Sequence, residues 1–160
     1  NTLTISAGIG IYPEKHPVTA MARQTGELED ASKAYPGKNA VTLFDESGTY
    51  SWDEFINNVL ADKYELIRDF FQNMQDYGKS FLYRLLELMR SRDEKINLSR
   101  YAYLLARMEP GENASEKNKA LYRRFSQRMY QWMLDKEACR QAVTAIYIYV
   151  YTIREATEGE

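Results

Sequence analysis

The sequence predicts an α+β chain: a strand, a helix and a second strand over residues 1–48, then an all-α bundle over residues 49–160. Three observations carry this reading. Apolar residues alternate from Leu3 to Ile11, the pair Pro36-Gly37 stops a helical pattern just before a second apolar run, and after Gly48 the hydrophobic period changes from two to about 3.6. With 160 residues, 44% of them apolar and 13% aromatic, the chain can bury one large or two small cores.

In the first strand Leu3, Ile5, Ala7, Ile9 and Ile11 point one way, while Thr2, Thr4, Ser6, Gly8, Gly10 and Tyr12 point the other. The Gly8-x-Gly10 pair therefore lies inside a strand. A dinucleotide-binding loop would need a third glycine where Pro13 stands, and a helix where the strand is still running. The second face is nearly bare at Ser6, Gly8 and Gly10, and glycine within a strand marks a close approach. That approach is either a helix packed across the sheet or the flat base or sugar of a ligand. Because a strand needs neighbours for its backbone groups, the sequence is expected to be one piece of a longer polypeptide.

Pro17 suits a first helical position, and Val18, Met21, Ala22, Leu28 and Ala31 keep roughly helical spacing. The helix stops near Tyr35, since Pro36 drives its predecessor out of the helical region and Gly37 accepts a left-handed turn. Ala40 to Phe44 reads as the second strand and "DESG" as the turn that ends it, with Asp45-Glu46 as turn chemistry. Lys33 in the last helical turn complements the helix dipole, and Lys38 follows Gly37 as a turn residue. Two ammonium groups beside a bare strand face could equally hold a polyphosphate.

Ser51 and Glu54 form a capping box, with Tyr50 and Phe55 as its hydrophobic staple. A second helix start is read at Asp62 with Glu65, leading through Ile67, Phe70, Phe71 and Met74 to an end near Gly78. Phe81, Leu82, Leu85, Leu86 and Met89 mark the next helix, and Tyr101, Ala102, Leu104, Leu105 and Met108 the one after. The loop "EPGENASE" precedes a long helix over 116–134 with Leu121, Phe125, Met129 and Trp132 on one stripe. The closing "AVTAIYIYVYTI" reads as a buried helix rather than a strand, because Ala138, Val143, Ile146, Tyr147 and Val150 fit helical spacing. The 13 tyrosines and 6 methionines read as packing rather than base-stacking platforms.

The net charge of −2 is unevenly spread: residues 79–128 hold twelve cations against six anions, while the segments on either side are acidic. Lys117, Arg124 and Arg128 recur at intervals of seven and four beside the apolar stripe of the 116–134 helix. They read either as solvated stems over the core edge or as contacts to RNA phosphates or to an acidic neighbouring subunit. A single cysteine, Cys139, and a single histidine, His16, exclude an internal disulfide and a zinc site of ordinary spacing. Without a long apolar run or an opening signal segment, the expected setting is soluble and cytoplasmic.

"LTISAGIGIY", "HPVTAMARQTGELEDASKAYPGKNAVTLF" and "TYSWDEF" together resemble the end of the second, ferredoxin-like palm domain in the large subunit of type III-A CRISPR effector complexes. More distantly they resemble diguanylate cyclase palms. "GKSFLYRLLELM" looks like the helical domain that closes the same subunit. On this resemblance Lys33 matches a helix lysine that contacts phosphate, and Lys38-Asn39 matches a basic-Asn pair, with one extra residue between them and Ser32 where alanine is usual. Ser6 and Gly8 would then face the nucleotide. The resemblance implies ATP, with Mg or Mn, polymerised into cyclic oligoadenylates when a guide RNA pairs with target RNA, and in many members a nuclease for single-stranded DNA. It also implies docking beside a small helical subunit. The family's metal-holding Gly-Gly-Asp-Asp hairpin does not occur in this chain, so the stretch alone is expected to be catalytically inert. Two other readings stand beside this one: a purely structural protein-interaction module, and a diguanylate cyclase-like signalling palm.

Overall fold

The computed structural model describes residues 3–74 and 77–158. The chain forms two compact units, Asn1–Leu60 and Ala61–Glu160. The division falls twelve residues later than the sequence reading of 48/49, because the sheet gains a strand beyond Gly48 and a helical stretch begins before the boundary.

The first unit contains β1 (Ala7–Ile9), α1 (Val18–Ala34), β2 (Ala40–Leu43), a short 3₁₀ turn (Glu46–Gly48) and β3 (Thr49–Ser51). The sheet order is β1-β2-β3. β1 and β2 are parallel, pairing Gly8 with Thr42, and α1 is the crossover that parallel strands require. β2 and β3 are antiparallel, pairing Val41 with Tyr50. As the central strand, β2 is buried along its whole length.

Two expectations change here. The ten-residue alternating strand pairs over only three residues, because β2 offers a partner only from Val41 to Leu43. Its apolar side is exposed at Leu3, 89%, and Ile5, 60%. The bare side faces α1, the first of the two approaches that the sequence allowed. A β-carbon on Gly8 would meet the Glu29 nitrogen at 2.5 Å, the Thr25 oxygen at 2.8 Å and the Leu28 carbonyl carbon at 2.9 Å, so the space at this glycine is taken by helix backbone. Pro17 caps α1 rather than opening it, and the helix ends at Ala34 before Pro36, as Pro36 requires.

Where helix and sheet are this close, polar groups between them must find partners. The Ser32 hydroxyl donates to the Ala7 carbonyl at 2.6 Å and lies 2.7 Å from the Thr42 hydroxyl. Thr42 reaches Thr49 at 2.9 Å, and Thr49 donates to the Glu46 carbonyl at 2.8 Å. Three hydroxyls thus link α1 to all three strands. At the turn, Asp45 accepts from the Ser47 backbone N–H at 2.8 Å, which is the local chemistry expected of it.

From Trp52 the chain is helical to Asn73 without an intervening loop: α2 (Trp52–Glu54), a π-helix (Phe55–Tyr64) and α3 (Glu65–Asn73). Ser51 caps it as expected, accepting from the Glu54 N–H at 3.1 Å, and the Tyr50 and Phe55 rings pack 6.5 Å apart. The expected restart at Asp62 does not occur, since the widened π turns carry the helix through it.

The second unit packs α3 with α4 (Lys79–Arg90), α5 (Lys95–Ala106), α6 (Glu116–Leu134) and α7 (Lys136–Glu158). Its centre is aromatic: Phe70 and Phe125 stack at 3.8 Å, and Phe71 meets Phe125 edge-on at 5.8 Å. Such pairs add about 0.5–1.5 kcal/mol beyond area burial. Tyr101 is fully buried and donates to the Met129 carbonyl at 3.1 Å, and burial drives its hydroxyl pKa well up. The closing segment is helical as expected, but its buried stripe is Cys139, Ala142, Ala145, Ile146, Tyr149 and Val150. Ala138, Val143 and Tyr147 flank that stripe.

Two outcomes follow. Gly8→Ala forces α1 off β1, at a cost of about 1–3 kcal/mol, and should speed amide hydrogen exchange across residues 7–43 while leaving α4–α7 unchanged. The Cys139 thiol, buried and donating to the Met89 carbonyl at 3.4 Å, is pushed up to about 11, mainly by burial. Its folded value exceeds the roughly 8.5 of an unfolded thiol, so the associated stability is whole below that pH and is lost as pH rises towards 11. Native protein should therefore resist alkylation by iodoacetamide at pH 8 and label fully once denatured.

Candidate functional site

In the first unit the predicted site residues gather unequally. The bend Pro36-Gly37-Lys38-Asn39 places two successive residues at positive φ, Gly37 at 86° and Lys38 at 52°. For glycine this costs little, whereas for lysine a left-handed conformation costs about 1–2 kcal/mol. The surroundings hold it there. The Lys38 N–H donates to the Tyr35 carbonyl at 2.9 Å, and the Ser6 hydroxyl donates to the Lys38 carbonyl at 2.8 Å. Next to it the Asn39 carbonyl accepts from the Trp52 N–H at 3.2 Å, and the Trp52 indole donates to the Ile5 carbonyl at 2.9 Å. Ser6 and Lys38 are thus joined directly. The Lys38 side chain is exposed and, among the described residues, has no ion-pair partner.

Lys33 is placed differently. Its ammonium lies 2.9 Å from the Glu29 carboxylate one helical turn earlier, with about half of each side chain in solvent. The hydrogen bond to Glu29, and then the charge of that carboxylate, raise the lysine pKa. Lys33 is therefore cationic but already engaged. Ser6 and Gly8 both line an open cleft of about 690 Å³ between β1 and α1, bordered also by Met21, Thr25 and Glu29. The Cα of Gly8 lies against the α1 backbone, which is the helix approach that the sequence offered beside a base or sugar. His16 stacks on Tyr12 at 5.2 Å and bonds Gln24 at 3.1 Å, pinning the loop before α1.

In the second unit Lys117 and Arg124 are exposed, without ion-pair partners among the described residues. Arg128, expected to align with them, is engaged internally. Its guanidinium pairs with one oxygen of Asp62 and lies 5.4 Å from the Trp132 ring. The other Asp62 oxygen is 3.1 Å from the Lys63 ammonium, which is 3% exposed and lies 5.2 Å from the same ring. One carboxylate and one indole therefore serve two cations. The sequence reading missed this cluster by assigning Asp62 to a helix start, although Arg128 and Trp132 stand at the i, i+4 spacing that puts a cation beside a ring.

Asp62→Asn removes the carboxylate that Arg128 and the buried Lys63 share, and should cost about 1–3 kcal/mol in urea denaturation. Arg128→Met preserves packing on Trp132 and the Asp62–Lys63 pair, and should cost less than about 1 kcal/mol.

Comparison with known proteins agrees with both units. Residues 68–155 match the family described as the second helical domain of the CRISPR RNA silencing complex Cmr2 subunit, and residues 1–42 match the second palm domain of Cas10/Cmr2. The chain is 42% identical over 155 residues to a protein of Mycobacterium tuberculosis described as a CRISPR system single-strand-specific deoxyribonuclease, Cas10/Csm1 of subtype III-A; the match covers 96% of this chain and 18% of that protein. Proteins of the same description from Streptococcus thermophilus and Enterococcus italicus are 42% and 40% identical, with 96% of this chain and 20% and 19% of theirs covered. The chain thus spans about a fifth of the length of these curated relatives. With the second palm domain and the second helical domain matched in order, the chain belongs to the Cas10/Cmr2 family of CRISPR proteins.

Proposed function

We propose that, within a cytoplasmic RNA-guided antiviral effector, the first unit contributes contacts to ATP used for cyclic oligoadenylate synthesis, and the second serves assembly with other subunits. The observation that carries the nucleotide part is Lys38: a cation held in a left-handed conformation that glycine would adopt more cheaply, fixed through its carbonyl by Ser6. A local strain retained at an exposed cation is understandable if the ammonium has a task, and a polyphosphate is the partner its point charge suits. Lys33 adds a second cation whose bond to Glu29 can be exchanged for one to phosphate. Ser6 acts by positioning, and Gly8 by allowing α1, which carries Lys33, to lie on β1.

Bound ATP would bring Mg or Mn, and the metal would supply charge neutralisation at the phosphates. Among the described residues no three His, Cys, Asp or Glu side chains converge on one point, and Asp45 is committed to its own turn. This reading therefore assigns phosphate contacts to the stretch and no metal ligand. In the second unit, exposed Lys117 and Arg124 on α6 support a role in meeting guide or target RNA or an acidic surface such as that of a small helical subunit. No helix of the described residues is long and apolar enough to cross a membrane.

In the full-length protein, Lys38→Ala should weaken ATP binding about tenfold, the range of one charge-assisted contact. Lys38→Gly should weaken it equally while raising thermal stability, because the bend is relaxed. Unchanged ATP affinity in both variants, measured by equilibrium dialysis, would remove Lys38 from the site.

A further inference from the structure

A cleft of about 550 Å³ runs between α4 and α5 in the second unit, apart from the cations of α6 considered above. Its walls carry Arg84 from α4, Arg100 from α5 and Arg107 from the C-terminal cap of α5, all exposed. None is paired with a carboxylate among the described residues: Arg100 reaches only the Asn97 amide oxygen, at 3.4 Å, and the Arg107 guanidinium lies 6.0 Å from the Tyr103 ring. By contrast Arg92, on the connection between these helices, donates to the Met133 and Leu134 carbonyls and is structural. Three arginines without a carboxylate partner among the described residues thus meet in one cleft.

Spacing on α5 adds a second feature. Arg100 and Tyr103 stand at i and i+3 on α5, and Arg107 follows at its C-terminal cap with helical backbone angles, so the three fall on one side of the helix end. Tyr103 is 66% exposed, a large aromatic left in solvent within a unit that buries Tyr101 completely. Leu88 and Leu104 supply apolar surface at the base of the cleft. Two acids also line it. Glu94 accepts from the Asn97 side-chain amide at 3.4 Å at the start of α5, whereas Glu87 is exposed and opposes an anion.

We propose that this cleft binds single-stranded nucleic acid, with Arg84, Arg100 and Arg107 on backbone phosphates and a base stacked on Tyr103. An acidic protein surface would use the guanidiniums alone. The solvent-exposed ring beside these guanidiniums favours a ligand that alternates negative charge with flat aromatic groups, and a polynucleotide strand is that ligand. The inference does not rest on the nucleotide reading of the first unit.

The test is photo-crosslinking of the full-length protein to a 4-thiouridine-substituted oligouridine 15-mer, with adducts mapped by mass spectrometry. An adduct is expected on the peptide containing Tyr103. It should fall at least fivefold in Tyr103→Ala and in the triple variant Arg84→Ala, Arg100→Ala, Arg107→Ala, persist in Tyr103→Phe, and increase in Glu87→Gln. These positions are exposed, so circular dichroism should not change. The proposal is overturned if adducts form only outside α4 and α5, or if the Tyr103 adduct ignores the arginine substitutions. It is equally overturned if protein cross-linking of the assembled complex attaches this cleft to an acidic subunit while no RNA adduct appears there.

Discussion

The first unit depends on one close approach, the α1 backbone resting directly on Gly8. No side chain separates helix from strand there, so Ser32 can reach both the Ala7 carbonyl and the Thr42 hydroxyl. A larger residue at position 8 would lift the helix and break that hydroxyl chain at its first link. Pro36 ends α1, and the Pro36–Asn39 bend then meets Ser6 and Trp52. The cationic bend follows from both residues: glycine lets the crossover helix descend onto the sheet, and proline stops it there.

In the second unit the governing distinction is between cations engaged by the fold and cations left to solvent. Lys63 and Arg128 are drawn onto Trp132 and share Asp62, and Arg92 caps carbonyls at the end of α6. Lys117, Arg124 and the arginines of the α4–α5 cleft remain free of carboxylates among the described residues. The excess charge counted over residues 79–128 is therefore smaller in effect than its total, and its free part lies on particular faces. Electrostatic attraction to a partner follows that free part.

Much of this was legible in the sequence, for identifiable reasons. The Pro36-Gly37 stop, the Ser51 cap, the 116–134 helix and the closing helix rest on local chemistry, and each formed where local chemistry put it. β3 was hidden because Ser51 serves two elements, ending the strand and capping the helix. Asp62 was misread because Asp-x-x-Glu also spells a helix start, and only the tertiary placement of Lys63 and Arg128 reveals its use. Lys33 and Lys38 look alike in sequence. Their difference, one paired and the other strained and free, lies in a dihedral angle and a neighbour that no periodicity encodes.

The chain contains two tryptophans, and the fold puts one in each unit. Trp52 is partly exposed, its indole N–H tied to the Ile5 carbonyl, while Trp132 is 3% exposed beneath two cations. Their emission spectra must differ, with Trp132 shifted to the blue of Trp52 and shielded from soluble quenchers such as acrylamide. Intrinsic fluorescence thus carries two separable optical reporters, one for the sheet and one for the helices, with no label to introduce.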